Sequence, residues 1–104
     1  AAPALPVTDT VKTADETGRV TGTPDRSTLF AVQTPQVFQA DVLKAALQSA
    51  AEAKLPLTDD CAAVERLGKQ VYLLPGNPEN IKITRPLDLA VAAAILRQRE
   101  ERNA

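Results

Sequence analysis

The chain has 104 residues, of which 44% are hydrophobic, and its 12 basic and 13 acidic residues leave a formal net charge of -1. Such a length and composition are those of one ordinary domain, and the balanced charge gives no indication of a nucleic-acid or anionic-membrane surface, so any anion binding must be local. The longest apolar run, Leu87 to Leu96, is interrupted by Asp88 and is far shorter than the roughly 20 residues that span a bilayer. The single cysteine, Cys61, excludes an internal disulfide and is expected to be a small core residue. We therefore expect a cytoplasmic protein without nucleic-acid or membrane partners.

The chain contains neither histidine nor methionine. Without histidine, the Ser-His and Cys-His nucleophile pairs and the histidine metal sites are excluded within this chain. Its chemistry must rest on lysine, arginine, carboxylates and hydroxyls, which suit positioning and charge stabilisation. Because the chain lacks methionine and opens on an apolar, strand-like segment, we expect it to be a truncated piece of a longer protein.

The first part of the chain predicts a strand and a hairpin. Ala4 to Val7 is a short apolar run typical of a strand, although neighbouring prolines limit its ladder bonds. Asp9 to Thr23 places β-branched residues on both sides of a polar turn, which predicts a β-hairpin. Its only large apolar residues are Val11 and Val20, so we expect it to pack on something outside the chain, such as a partner subunit.

The middle of the chain predicts a strand followed by two helices. Leu29 to Val32 reads as a buried strand that runs directly into a polar stop, Gln33 to Gln36. Gln39 to Lys54 has the apolar spacing of an amphipathic helix. Thr58 is expected to be the N-cap of a short second helix that ends near Leu67.

The last part of the chain alternates extended and helical segments. The elements expected in order are a strand at Val71 to Leu74, a loop at Pro75 to Pro78, a brief extended segment at Asn80 to Thr84 and a helix from Pro86 with a solvated, frayed end at Arg97 to Ala104. The final helix is apolar nearly all round from Leu89 to Leu96, so it should be covered on more than one side. Strands that alternate with helices indicate an α/β architecture, but so few strands do not complete a doubly wound sheet. Part of the domain is expected to lie outside the chain.

Polar residues stand where the predicted strands end or the predicted helices begin, which is where open α/β sheets bind ligands. They are Thr10 with Lys12, Arg26 with Thr34, Thr58 and Lys82. A guanidinium, an ammonium and hydroxyls all donate to phosphate oxygens, so this set suits a phosphate-bearing ligand. Each residue also has a purely structural alternative: Arg26 pairing with Asp25 or Asp9, Thr58 serving only as a helix cap, Lys82 being only an exposed lysine, and Thr34 only ending a strand.

Five segments, read in order, resemble the carboxyl-terminal half of the 2-C-methyl-D-erythritol 4-phosphate cytidylyltransferase family. They are DTVK at 9–12, DRS at 25–27, AVQTPQVF at 31–38, LTDDCAAVE at 57–65 and NIKITRPLDLA at 80–90. The resemblance extends over residues 4–98. Ribitol-5-phosphate cytidylyltransferase shares most of these motifs and remains the alternative.

The resemblance implies the carboxyl-terminal half of a Rossmann-like nucleotidyltransferase fold with a protruding β-hairpin arm. Residues 9–30 would form the arm, and residues 31–104 would form the substrate-binding half with the carboxyl-terminal helix. The amino-terminal half, which binds CTP with a glycine-rich loop, would be absent. The intact protein would be a homodimeric enzyme that joins a polyol phosphate to CTP with the help of Mg²⁺, whose ligands would not lie in this chain.

The resemblance also implies which residues serve the substrate. Thr10, Arg26, Thr34, Thr58 and Lys82 would bind the polyol phosphate, with Arg26 and Lys82 as the catalytic charges that position its phosphate. Thr10 and Arg26, on the arm, would serve the active site of the partner subunit. The chain alone is then expected to be inactive, and a non-catalytic dimerisation or binding fragment is the other alternative.

Overall fold

The computed structural model describes residues 1–103 and has a mixed α/β architecture, as predicted. Its strands are β1 (Ala2–Pro6), β2 (Thr13–Ala14), β3 (Val20–Gly22), β4 (Phe30–Val32) and β5 (Leu73–Pro75). Its helices are α1 (Ala40–Glu52), α2 (Asp60–Arg66) and α3 (Pro86–Asn103), and a short 3-10 helix lies at Arg26–Thr28. None of these helices is both long enough and apolar enough to cross a membrane.

The strand β1 lies at the centre of a three-stranded sheet with the order β4-β1-β5. It pairs antiparallel with β4 and parallel with β5, so that Ala4 lies opposite both Val32 and Pro75. The strand predicted at 71–74 therefore begins two residues later and ends one residue later, because its parallel register with β1 begins at the pair of Ala2 with Leu73. The segment 80–84, predicted to be extended, pairs with no strand among residues 1–103.

The outer strands β4 and β5 are exposed, which corrects the prediction that the strand at 29–32 is buried. All six residues of the two strands are exposed, and the Phe30 side chain is 46% exposed. Both are edge strands of this sheet, and an apolar cavity of about 290 Å³ opens between Phe30 and Leu74. No described element covers this apolar sheet surface.

The segment predicted to be a hairpin contains β2 and β3, which pair antiparallel as a separate two-stranded sheet. Asp15 organises the turn between them, since its Oδ1 accepts hydrogen bonds from the Thr17 hydroxyl at 2.7 Å and from the Arg19 amide at 3.0 Å. These bonds, the Thr17 hydroxyl first, lower the pKa of the Asp15 carboxyl. Gly18 completes the turn with a left-handed φ of 89°, which favours glycine.

The helices α1 and α2 pack against each other around small side chains. Ala46 and Ala63 are fully buried at this contact, and Val64 is 2% exposed. The half-buried side chains around them are Phe38, Val42, Leu43 and Val71. Cys61 is buried as predicted, and its burial raises the pKa of its thiol.

The ends of α2 were predicted with mixed success. Its N-cap is Asp59 and not Thr58, because the Asp59 carboxylate accepts a hydrogen bond from the Ala62 amide at 2.8 Å. Its carboxyl end is confirmed at Gly68, which has a φ of 78° and donates its amide to the Glu65 carbonyl.

The helix α3 begins at Pro86 as predicted, but the expectation of a frayed carboxyl end was wrong. It is not frayed over 97–103, because Arg99 and Arg102 both donate to the Glu79 carboxylate, at 2.6 and 2.8 Å; Ala104 lies outside the described residues. The described residues do not cover its apolar surface, since Leu89 and Leu96 are 60% and 59% exposed. These arginines hold the pKa of Glu79 below its ordinary value.

The chain as a whole is less compact than a complete domain of its size. Its radius of gyration is 17.3 Å, against about 13 Å for a compact domain of 100 residues.

Candidate functional site

The polar stop after β4 forms the centre of the candidate site. Thr34 is exposed there and lines two neighbouring cavities. The first has a volume of about 180 Å³ and is lined by Val32, Gln33, Thr34, Asn80 and Lys82. The second has a volume of about 210 Å³ and is lined by Thr34, Gln36, Asp59 and Asp60. The structure therefore brings Thr34 and Lys82 to one cavity, although 48 positions separate them in the sequence.

The two cavities differ in charge. The first is lined by Lys82 and Thr34, whose ammonium and hydroxyl groups can donate to an anion. The second presents the carboxylates of Asp59 and Asp60, which repel an anion. A phosphate group is therefore favoured in the cavity of Thr34 and Lys82.

Gln33 holds the backbone at one side of the first cavity by hydrogen bonds. Its Nε2 donates to the carbonyls of Asn77 and Asn80 at 2.9 and 3.0 Å, and its Oε1 accepts from the Asn77 amide at 3.2 Å. The Asn80 side chain returns a hydrogen bond to the Thr34 carbonyl at 2.7 Å. A side chain at position 76 would disturb this contact, because a Cβ there would overlap Gln33 Oε1 and crowd the Ala4 carbonyl. The segment that leads to Lys82 is thus tied to the end of β4.

Gln36 fastens the opposite side of the loop. Its Oε1 accepts from the Cys61 amide at 3.1 Å, and its Nε2 donates to Asp59 Oδ2 at 3.2 Å. The start of α2 is therefore joined to the loop that carries Thr34. Thr58, the predicted site residue, is exposed one position before this junction.

Arg26 and Thr10 form a second group near the base of the hairpin. The guanidinium of Arg26 donates to the Thr8 carbonyl at 2.8 Å, and Thr10 is exposed two residues farther on. The ion pair of Arg26 with Asp25 or Asp9 is not formed, since the ion pairs among residues 1–103 all involve Glu79. Asp25 instead caps the 3-10 helix by accepting from the Ser27 amide and hydroxyl, and the hydroxyl is the main cause of its lowered pKa.

The two groups lie at opposite ends of β4. Arg26 precedes the strand and Thr34 follows it, and a strand rises about 3.3 Å per residue. Within one chain the structure thus brings Thr34 together with Lys82, and Arg26 together with the segment of Thr10. It does not place the two groups at one end of the sheet.

Sequence reasoning missed Gln33 and Gln36. Both flank the Thr34-Pro35 pair and could have been noted as a repeated residue type around a candidate ligand residue. Their partners are distant in the sequence, up to 47 positions for Gln33 and 25 for Gln36. Nothing in the local pattern indicates such contacts.

The carboxylates that the structure describes near Thr34 are too few to hold a metal ion. Among residues 1–103, no three histidine, cysteine, aspartate or glutamate side chains are grouped so as to hold a metal ion. Asp59 and Asp60 stand alone at the second cavity, and Asp59 is already engaged in capping α2. The described residues therefore do not provide a set of metal ligands.

Comparison with known proteins adds relatives of similar sequence and structure. The family described as IspD, 2-C-methyl-D-erythritol 4-phosphate cytidylyltransferase, matches residues 1–98. The enzymes of that name from Nocardia farcinica and Desulforamulus reducens are 56% and 52% identical to this chain over 97 and 99 residues. These matches cover 93% and 95% of this chain and 40% and 42% of the relatives' own lengths.

Solved structures show the same likeness. The 2-C-methyl-D-erythritol 4-phosphate cytidylyltransferase from Thermus thermophilus superposes with a TM-score of 0.78 at 36% identity, covering 92% of this chain and 47% of that one. The 4-diphosphocytidyl-2C-methyl-D-erythritol synthase from Anaerococcus prevotii superposes with a TM-score of 0.82 at 32% identity, covering 92% and 45%. The chain thus spans less than half the length of these relatives. With a family match over nearly its whole length, it belongs to the 2-C-methyl-D-erythritol 4-phosphate cytidylyltransferase family.

Proposed function

We propose that this chain is the polyol-phosphate-binding part of a cytidylyltransferase that transfers CMP from CTP to 2-C-methyl-D-erythritol 4-phosphate and releases pyrophosphate. The observation that carries the proposal is the cavity that Thr34 and Lys82 both line, since these two exposed residues bring a hydroxyl and an ammonium to one place. Membership of the family supplies the reaction, and this cavity supplies a place for the substrate phosphate.

The proposed reaction depends more on stabilising the negative charge of its reactants than on proton transfer. An oxygen of the polyol phosphate attacks the α-phosphorus of CTP. The bond between the α-phosphorus and the oxygen that bridges to the β-phosphate breaks, and pyrophosphate leaves with the electron pair of that bond. Both reactants are anionic, so cations that hold the attacking phosphate lower the barrier by positioning and by reducing repulsion. Lys82 performs this role from the cavity, and Thr34 orients the phosphate through its hydroxyl.

Arg26 and Thr10 are proposed to serve the active site of a partner subunit in a homodimer. Three features support this. Both residues are exposed, and among residues 1–103 the Arg26 guanidinium is bound to the uncharged Thr8 carbonyl and to no carboxylate. The hairpin beside them is also exposed, with Val11 and Val20 36% and 51% accessible. A guanidinium that is not neutralised by a carboxylate keeps its donors for a phosphate. Thr58 is proposed to contact the polyol phosphate from the start of α2.

We further propose that the chain corresponds to the carboxyl-terminal part of its relatives and that the CTP-binding half lies outside it. The exposed apolar faces of β4, β5 and α3 are consistent with a larger domain that continues the sheet. The four glycines, Gly18, Gly22, Gly68 and Gly76, are scattered and do not build a glycine-rich phosphate loop. The chain alone is therefore expected to bind CTP weakly and to lack activity.

Mg²⁺ is proposed as the cofactor of the intact enzyme, where it would help to hold the triphosphate. Because the described residues do not provide a ligand set, its ligands are assigned to the remainder of the protein. A cytoplasmic location is likewise proposed for the intact enzyme.

The test is to assay the full-length protein for pyrophosphate release from CTP and Mg²⁺ with methylerythritol phosphate or ribitol phosphate. The proposal expects a clear preference for methylerythritol phosphate. A preference for ribitol phosphate would support the related ribitol-5-phosphate activity instead. No release with either substrate would support a non-catalytic dimerisation or binding protein.

The isolated chain gives a second test. Calorimetric titration with CTP and Mg²⁺ is expected to show no binding in the micromolar range. Micromolar affinity would contradict the assignment of the CTP site to the remainder of the protein.

A further inference from the structure

The two glutamines that flank Thr34-Pro35 reach in different directions and hold different parts of the chain. Gln33 bonds to the loop that leads to Lys82, and Gln36 bonds to the first turn of α2, next to Thr58. Both glutamine side chains are half-buried, whereas the residues proposed to bind substrate are exposed. The arrangement is that of supports behind a binding surface.

Gln33 is the stronger of the two supports. The loop from Asn77 to Asn80 contains no helix or strand, and it is joined to the sheet by three hydrogen bonds to the Gln33 amide and by the bond of Asn80 to Thr34. An amide is suited to this task because it donates to two carbonyls and accepts from an N–H at the same time. The isosteric carboxylate cannot donate to those carbonyls.

We propose that Gln33 and Gln36 are positioning residues for the substrate phosphate, with Gln33 acting through Lys82 and Gln36 acting through Thr58. This inference rests on the proposed function, because it concerns the same site. Gln33 sets the position of the loop that carries Lys82 relative to Thr34. Gln36 sets the position of the start of α2, and so of Thr58, relative to Thr34.

The kinetic test uses the full-length protein with Gln33→Glu and Gln33→Leu. Both variants should raise the KM for methylerythritol phosphate about tenfold or more while the KM for CTP stays within about twofold. In the Lys82→Ala background the same substitutions should add little, since residues that act through one another are not additive. The matched control is Gln48→Leu, a change of the same type at an exposed position of α1, which should leave both constants unchanged.

Gln36 is tested in the same way with Gln36→Leu and Thr58→Val. Gln36→Leu alone should raise the KM for methylerythritol phosphate. In the Thr58→Val background, the same substitution should raise that KM only slightly further. The positioning role would be overturned if the effect of Gln33 substitution were fully additive with that of Lys82→Ala, or that of Gln36→Leu with that of Thr58→Val. It would also be overturned if the KM for CTP rose as much as the KM for methylerythritol phosphate.

Hydrogen exchange separates a failure of this inference from a failure of the proposed function. Gln33→Glu should speed amide exchange at residues 76–82 and leave α1 unchanged, whether or not the wild-type protein transfers CMP. Unchanged exchange at residues 76–82 would overturn the positioning role even in an active enzyme. An inactive wild-type protein with the expected exchange would refute the proposed function alone.

Discussion

Replacement of Lys82 by alanine tests the role of the cavity at the end of β4. Lys82 is exposed, and the ion pairs among the described residues do not include it, so its ammonium is free to bind a ligand. A charge-assisted hydrogen bond to a phosphate contributes on the order of 1.5–3 kcal/mol, and each 1.4 kcal/mol is about a factor of ten in affinity. Lys82→Ala should therefore weaken binding of methylerythritol phosphate by about 10- to 150-fold.

The assay is calorimetric titration of the full-length protein with methylerythritol phosphate, together with thermal unfolding. Because Lys82 is exposed, its removal should change the free energy of unfolding by no more than about 0.5 kcal/mol. Lys44→Ala, at an exposed position of α1, is the matched control and should bind normally. Lys82→Arg keeps the charge but not the shape, so its affinity should be intermediate.

Two results would refute this reasoning. One is an affinity for Lys82→Ala that is the same as that of Lys44→Ala, which would mean that the ammonium does not contact the phosphate. The other is a loss of binding accompanied by an equal loss of stability, which would mean that Lys82 serves the fold.

Three further predictions concern other parts of the molecule. Val64→Ala removes two buried carbon atoms at the contact of α1 and α2 and should lower the free energy of unfolding by about 1.5–2.5 kcal/mol in urea denaturation, whereas Val37→Ala, at a side chain 63% exposed, should have little effect. If Arg26 serves the partner's site, mixing Arg26→Ala and Lys82→Ala subunits should restore about a quarter of wild-type activity, because half of the random dimers contain one intact site; no recovery would show that Arg26 acts in its own subunit. Hydrogen bonds, first among them that from the Thr84 amide, lower the pKa of Asp88 below its ordinary 3.8, so its contribution to stability is present above that value and is lost as the pH falls through its folded pKa. The difference in Tm between wild type and Asp88→Asn should accordingly shrink below pH 3.8, and a constant difference would contradict this.

Local sequence signals correctly predicted where α2 ends and where α3 begins. Gly68 ends α2 because its positive φ suits glycine, and Pro86 begins α3 because the first helical turn needs no amide there. The choice of N-cap for α2 was wrong because Thr58 and Asp59 are both good caps. The structure selects Asp59, whose second carboxylate oxygen is held by Gln36, a contact that the sequence does not reveal.

Burial was predicted less well than helix position. The apolar residues of β4 and α3 suggested buried elements, yet Phe30 and Leu89 are exposed in the structure. An apolar pattern shows that a surface requires cover, but it does not show which polypeptide supplies that cover. The end of α3 was also misjudged, because the contacts of Arg99 and Arg102 with Glu79 join segments about 20 residues apart.

The candidate site was predictable in part. Residue types and the ordered motifs pointed to Thr34 and Lys82, and the structure places both at one cavity. The roles of Gln33 and Gln36 depend on tertiary contacts and therefore needed the fold. The assignment of Arg26 and Thr10 to the active site of a second subunit stays a prediction.

A crystal structure of the full-length protein with methylerythritol phosphate bound tests the central claim most directly. The account predicts that the phosphate lies within about 3 Å of Lys82 Nζ and Thr34 Oγ1, in the cavity at the end of β4. A phosphate bound elsewhere, with Lys82 and Thr34 both free of ligand, would contradict it.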